Sequence, residues 1–313
     1  MGDFNMYWPV YKHLEKETLE LAHYIHFDDR QLGVYSFYIA DLLVRCAIEI
    51  EAISKEMYWQ NGGEKRKEVF FDTDCLALLD ELWGICEKRI LVTATCFYLT
   101  EEKNRVLKPL HNAGRRGGAK WNKAYQAVKH DRKQSIKQGN IENLIQALGA
   151  LYILNVYYSA TEVELGITNT PQQDFDSSLG SDIFSVSVID ATVQVEIGTG
   201  GTDEAIANEI REQFKETIYI LRYTNNSWSF INETLEDEQQ ELREALAHSI
   251  KFQEYVKTGK VKKESNLFQM VSEFLGADYM RKHGSLSRTD RALSHAQKEA
   301  VIYKKQPIYG VGR

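Results

Sequence analysis

Cysteine is scarce, with four in 313 residues, and no two of the four are close enough to suggest a disulfide frame or a zinc knuckle. Cys46, Cys75, Cys86 and Cys96 stand singly in apolar, helix-like stretches, and read as buried thiols of a reducing cytosol. No apolar run approaches the roughly 20 residues needed to span a bilayer. The opening M-G-D-F-N-M-Y-W-P has no basic segment leading into an apolar core, so it does not read as a secretory signal. Long lysine or arginine blocks are also missing, and the net charge is −7. That balance argues against nonspecific binding of duplex nucleic acid over a broad basic face and leaves room only for a local basic pocket. The expectation is a cytoplasmic protein with no membrane association.

With 43% hydrophobic and 27% charged residues, the chain has the composition of a well-buried globular protein, and its length suggests two folding units. From Val34 to Trp59 there is neither Gly nor Pro, and Val34, Phe37, Leu42, Cys46, Ile50, Ile53 and Met57 recur at helical spacing. After the turn-forming N-G-G-E-K-R-K of residues 61–67, Leu76, Leu79, Trp83, Cys86 and Ile90 predict a second helix over about Asp74 to Leu99, with Asp72 or Asp74 as its cap. The glycine-rich L-K-P-L-H-N-A-G-R-R-G-G forms a loop. A third helix should run from about Lys120 to Lys137, ended by Gly139, and Asn140 should cap a fourth that is apolar on nearly all sides.

Beyond Gly166 the pattern changes. Residues 167–182 are polar and turn-rich. Residues 183–197 alternate at period two, as in a hairpin; a helix is expected near Glu204 to Glu216, and a second tight turn at Asn225-Asn226. Two further helices fit Glu236 to Val256 and Glu264 to Lys282. The expected fold is mainly α: a helical bundle over 1–166, a linker over 167–182, a smaller α+β unit over 183–283 and a basic interaction tail over 284–313.

The segment W-N-K-A-Y-Q-A-V-K-H-D-R-K, residues 121–133, carries the strongest chemical signal. On a helix Trp121, Tyr125, Val128 and Arg132 share one side and Asn122, Gln126 and His130 the next, with Lys129 between them. A purely solvated face would carry Glu and Lys at spacing four; these residue types instead suit a site that holds an anion and moves a proton. Histidine titrates near neutral pH, and neighbouring cations stabilise charge on a phosphate. In this reading His130 transfers the proton while Arg132 and Lys129 bind the nonbridging oxygens, with Asn122, Tyr125 and Gln126 in support. Asp41, Arg45 and Glu49, four apart on the first long helix, form a charged stripe that needs partners, with Lys129 or Arg132 as candidates. A structural ion network locking two helices is an equally weighted reading.

The order of these parts over about residues 20–165, a long apolar helix, a second helix, a glycine-rich loop and then a helix bearing Lys-His-x-Arg before a buried final helix, resembles the HEPN superfamily. That resemblance implies a small helical bundle that often dimerises, and a metal-independent ribonuclease of a toxin, antiphage or CRISPR system. His130 would match the family histidine beside a dimer cleft. The family pattern places an arginine several residues before the histidine, whereas here Arg132 follows it. Two functions are therefore carried forward: a metal-independent endoribonuclease or RNA-binding effector, and a noncatalytic protein that binds a nucleotide, RNA or partner and uses the Lys129–Arg132 helix as an interface. No cofactor or metal is expected, and a homodimer or larger assembly is.

Three other features bear on function. The turn G-T-G-G-T-D of residues 198–203 lacks the Lys-Ser/Thr ending of a P-loop and reads as a connection into a helix. His23, His26, Asp28 and Asp29 read as surface residues rather than as a metal cluster. Arg281, Lys282, His283, Arg288, Arg291, Lys298, Lys304 and Lys305, with Tyr303 and Tyr309 interleaved, suggest an arm for a protein partner or second subunit, or for RNA.

Overall fold

A computed structural model describes residues 5–64, 67–192, 212–258, 267–283 and 287–305. The chain is mostly helical with some sheet. It forms two compact units, one of residues 1–163, 172–221 and 300–313, the other of residues 164–171 and 222–299. The division falls elsewhere than at the expected boundaries. The segment over 172–221 belongs with the N-terminal helices, because its apolar side chains Phe175, Ile183 and Phe184 are buried there.

The helices of the first unit up to residue 163 are α1 (Tyr7–Leu21), α2 (Phe37–Gln60), α3 (Ala77–Trp83), α4 (Glu102–Arg105), α5 (Lys120–His130), α6 (Arg132–Ser135) and α7 (Ile141–Ser159) among the described residues. The strands of the chain are β1 (Phe27–Asp28), β2 (Ile90–Val92), β3 (Phe97–Tyr98), β4 (Val106–Leu107), β5 (Val163–Gly166), β6 (Phe184–Val186), β7 (Val188–Asp190), β8 (Tyr219–Tyr223) and β9 (Lys298–Ile302).

Helix α7 is the centre of the first unit and packs on α1, α2 and α5. Nearly every residue from Ile141 to Tyr157 is buried, as its apolar composition predicts, and the Asn140 side chain caps it by accepting from the Asn143 N–H at 3.0 Å. Helix α2 starts where Ser36 accepts from the Ile39 N–H at 3.1 Å, and buries Ile39, Leu43, Cys46, Ile50, Ile53 and Met57 along one stripe. Each such side chain contributes about 1.5–3 kcal/mol on burial. Helix α1 is fastened to the segment at 181–183 by Glu15. This fully buried carboxylate accepts at Oε1 from Tyr11 Oη (2.7 Å), Ser181 Oγ (2.5 Å), Asp182 N (2.9 Å) and Ile183 N (3.1 Å), and at Oε2 from Lys12 Nζ (2.5 Å).

The predicted second helix is much shorter than its apolar stripe. A π-helical turn over Phe71–Leu76 leads into α3, which stops at Gly84, in the left-handed region at φ 66°, where a residue with a Cβ is disfavoured. Ile90-Leu91-Val92 then form β2, antiparallel to both β4 and β6. A short aliphatic run whose spacing predicts helix is thus the middle strand of a sheet. Asp72 and Asp74 bond to the Thr73 and Phe70 N–H groups without capping the helix as expected.

Residues 183–192 do not make a hairpin. Strand β6 joins β2, while β7 runs parallel to β8, with Val188 opposite Tyr219 and Asp190 opposite Leu221. The switch occurs at Ser187, whose carbonyl accepts from Ile218 N, Tyr219 N and Thr217 Oγ1. The expected turn at 198–203 and most of the helix near Glu204 lie outside the described residues, although 212–216 is helical.

In the second unit the expected turn at Asn225-Asn226 is the first turn of a helix, Asn225–Ala247, because Thr224 caps it by accepting from Ser227 N at 3.3 Å. The helices Ile250–Lys257, Leu267–Leu275 and Ala277–His283 follow, with breaks at Ser249 and Gly276. The described part of the basic tail, residues 287–305, is not a free arm. Ser287–Ser294 is a helix packed on Asn225–Ala247, its start held by Glu238, which accepts from Arg288 N, Thr289 N and Thr289 Oγ1. Ala300, Val301 and Ile302 of β9 are buried. Residues 306–313, including Tyr309, lie outside the described residues, as do the side chains of Lys282 and His283.

Candidate functional site

The expected helix over 120–137 is two helices. Asp131 leaves helical geometry at φ −143° and ψ 74°, ends α5 at His130, and caps α6 by accepting from Gln134 N at 3.2 Å. An aspartate hydrogen-bonding its own downstream backbone offers an alternative to helix continuation, and here that alternative wins.

The buried face of α5 is Trp121, Ala124, Tyr125 and Val128. Trp121 Nε1 donates to the Pro109 carbonyl at 2.8 Å, which ties the helix to the preceding loop. The adjacent stripe, Asn122, Gln126, Lys129 and His130, lines an open cleft of about 660 Å³. Its opposite wall is Val69, Phe70, Phe71, Asp72 and Thr73, with Arg116 and Gly117 of the glycine-rich loop and Glu51 of α2 completing it.

Gly117 lies in the left-handed region at φ 55°, and its N–H donates to Asp72 Oδ2 at 3.3 Å. The same oxygen lies 3.5 Å from Asn122 Nδ2, and this contact orients the amide. Asn122 is 2% exposed, and its Oδ1 has no hydrogen-bond partner among the described residues. A buried acceptor left open costs about 1–3 kcal/mol. Lys129 Nζ donates to Tyr125 Oη at 3.2 Å and sits 5.2 Å from the ring centre. That hydrogen bond raises the lysine's pKa. His130 and Arg116 are exposed at the cleft.

The predicted residues therefore divide. Asn122, Gln126, Lys129 and His130 converge on the cleft, and Tyr125 supports Lys129 from beneath. Arg132 does not line it; its guanidinium pairs with Asp41 of α2 at 3.0 Å, both side chains being about half exposed. Arg45 turns to Glu17 of α1 at 2.7 Å, and burial raises the pKa of Glu49 while the nearby Arg45 opposes that shift. Two members of the stripe Asp41-Arg45-Glu49 are thus engaged in ion pairs between helices.

Arg116, Asp72 and Glu51 were not foreseen in the cleft. The only signal for Arg116 was its place in an R-R-G-G loop directly before α5, and Asp72 read as a helix cap.

Among the described residues no group of three His, Cys, Asp or Glu side chains assembles for a metal. Asp28 and Asp29 instead hold loop backbone, Asp29 accepting from Thr100 and Asn104, and His26 stacks on Tyr98. No helix of the described residues is long and apolar enough to cross a membrane. Comparison of the chain with protein-family models, with curated proteins and with solved structures finds no match in any of the three.

Proposed function

We propose that the first unit is a HEPN-like helical bundle over about residues 20–165, and that the α5 cleft binds single-stranded RNA and cleaves it without a metal. The observation that carries this reading is the convergence of His130, Lys129 and Arg116 on one cleft, with Asn122 buried in its wall. In the reaction His130 removes the proton of a ribose 2′-hydroxyl, whose oxygen attacks the adjacent phosphorus and expels the 5′-oxygen, which takes its proton from water. Lys129 and Arg116 hold the nonbridging oxygens as charge grows on them. Arg116 takes over the part first given to Arg132, which is engaged with Asp41. The wider setting is antiphage defence or a toxin system, acting in the cytoplasm as a homodimer.

Noncatalytic binding of RNA, a nucleotide or a partner is the second reading. The observation in its favour is that no described side chain hydrogen-bonds His130 and orients it. Purified protein incubated with single-stranded RNA and tRNA in excess EDTA separates the two. Cleavage leaving 2′,3′-cyclic phosphate ends, lost in His130→Ala and kept in Arg132→Ala, is the expected result. Retention of RNA on a filter by parent and His130→Ala alike, with no cleavage by either, replaces the nuclease reading with the binding one; neither binding nor cleavage sinks both for RNA.

A further inference from the structure

A second cavity in the first unit, about 420 Å³, lies away from the α5 cleft and is lined by Trp83, Lys88, Lys215, Tyr303 and Lys305, with Asp80, Gly84 and Glu87 at its edge. Lys88 is 1% exposed. Its Nζ makes one hydrogen bond among the described residues, to the Lys215 carbonyl at 3.1 Å, and lies 4.7 Å from the centre of the Tyr303 ring. No described carboxylate is within ion-pair distance of it. A buried ammonium has three donors to satisfy and a large desolvation cost, so this one is poorly served.

The groups facing Lys88 are Lys305 and Tyr303 from the segment after β9, Asp80 of α3, Glu87, and Lys215 beside the Lys215 carbonyl. Lys305 Nζ is fixed by the Asp80 and Glu81 carbonyls, its stem passing Gly84. Glu87 and Lys215 have partners elsewhere, Lys108 at 3.4 Å and Glu212 at 2.5 Å. Burial first, and then the nearby Lys305, push the amine down to about 7, with Asp80 opposing weakly. Desolvation beside a second cation is a general way to make a lysine nucleophilic at neutral pH.

We propose that Lys88 is a reactive amine whose cavity accepts a small planar aldehyde or ketone carrying a phosphate or carboxylate. The neutral amine adds to the carbonyl carbon to give a carbinolamine, which loses water to form an imine, so amine plus carbonyl compound gives imine plus water and no oxidant or reductant is needed. Trp83, whose ring stacks on Tyr157 and carries Lys304 Nζ 4.7 Å from its centre, and Tyr303 line the cavity, and Lys305 supplies the charge that selects an anionic substituent.

The test uses the full chain with pyridoxal 5′-phosphate as an anionic aldehyde and pyridoxal as its uncharged counterpart, trapped by borohydride and mapped by mass spectrometry. At pH 7 an amine titrating near 7 is about half neutral, against under one part in a thousand for an ordinary lysine. Lys88 should therefore be labelled at least about tenfold faster than the mean exposed lysine, with the phosphate form ahead of pyridoxal. Lys305→Met should narrow that preference, and Lys88→Met should remove the fast adduct. Labelling of Lys88 no faster than exposed lysines overturns the proposal in the parent protein alone, whether or not the variants fold. Equal rates for the two aldehydes overturn the anionic part.

Discussion

Replacing Glu15 with alanine should loosen the attachment of α1 to the 181–183 segment. The carboxylate is fully buried and takes four donors at Oε1 and one lysine at Oε2. Two of those donors keep a second partner, because Ser181 Oγ also lies within reach of Tyr11 Oη (2.8 Å) and Ile183 N (3.2 Å). The Asp182 N–H and the Ser181 hydroxyl lose theirs. One or two orphaned donors at about 1–3 kcal/mol each, together with the lost buried pair to Lys12, place the cost at about 3–5 kcal/mol. Glu15→Gln retains an acceptor at the Oε1 position but sets an amide NH2 against Lys12, and should cost about 1–2 kcal/mol. At this size the alanine variant should melt about 10 °C lower. Urea denaturation followed by tryptophan fluorescence suits the question, since Trp8 lies 5.0 Å from the Tyr11 ring. Amide exchange at Asp182 and Ile183 gives the local reading and should accelerate in the variant. A loss below about 1 kcal/mol with unchanged exchange would refute the assignment of Glu15 as the organising group.

Other predictions follow from the same structure. Asn122→Leu should change stability by less than about 1 kcal/mol, since the amide has one long contact and one open atom, while RNA retention in a filter assay falls to background. Arg132→Ala should cost at most about 1 kcal/mol in low salt, and the loss should vanish at high salt, because the pair with Asp41 is solvated. Burial raises the pKa of Glu238, but the bonds from Thr289 and Arg288 outweigh it and leave the group below its ordinary value. The stability it provides is present above the unfolded carboxylate value of about 4.3 and is lost as pH falls through the lower folded value. Acid titration of the unfolding of the second unit should show that loss, and Glu238→Gln should flatten it.

Much of the first unit was legible because its signals are local. The stripe of α2 without glycine or proline, the all-round apolar α7 and its cap Asn140 all depend on residues within a few positions of one another. The division of α5 into a buried face and a polar stripe follows in the same way from helical spacing. The failures share a different cause. Ile90-Leu91-Val92 is a short apolar run compatible with helix or strand, and pairing with β4 on one side and with β6, from nearly a hundred residues away, on the other decides it. Strand β7 alternates as a hairpin would, yet its partner β8 is parallel and remote. Arg116 and Asp72 reach the cleft only through tertiary packing, and nothing around Lys88, set between Glu87 and Arg89, indicates that one charged side chain of three is enclosed.

The break at Asp131 separates four consecutive charged or titratable residues into two sets with different neighbours. Among relatives of this chain, position 132 should then vary in step with position 41, exchanging charge or losing it together. Positions 129 and 130 should follow 72, 116 and 122 instead. Residues only two positions apart would thus carry independent evolutionary histories, and a motif spelled across all four would be a coincidence of spelling rather than a unit of selection.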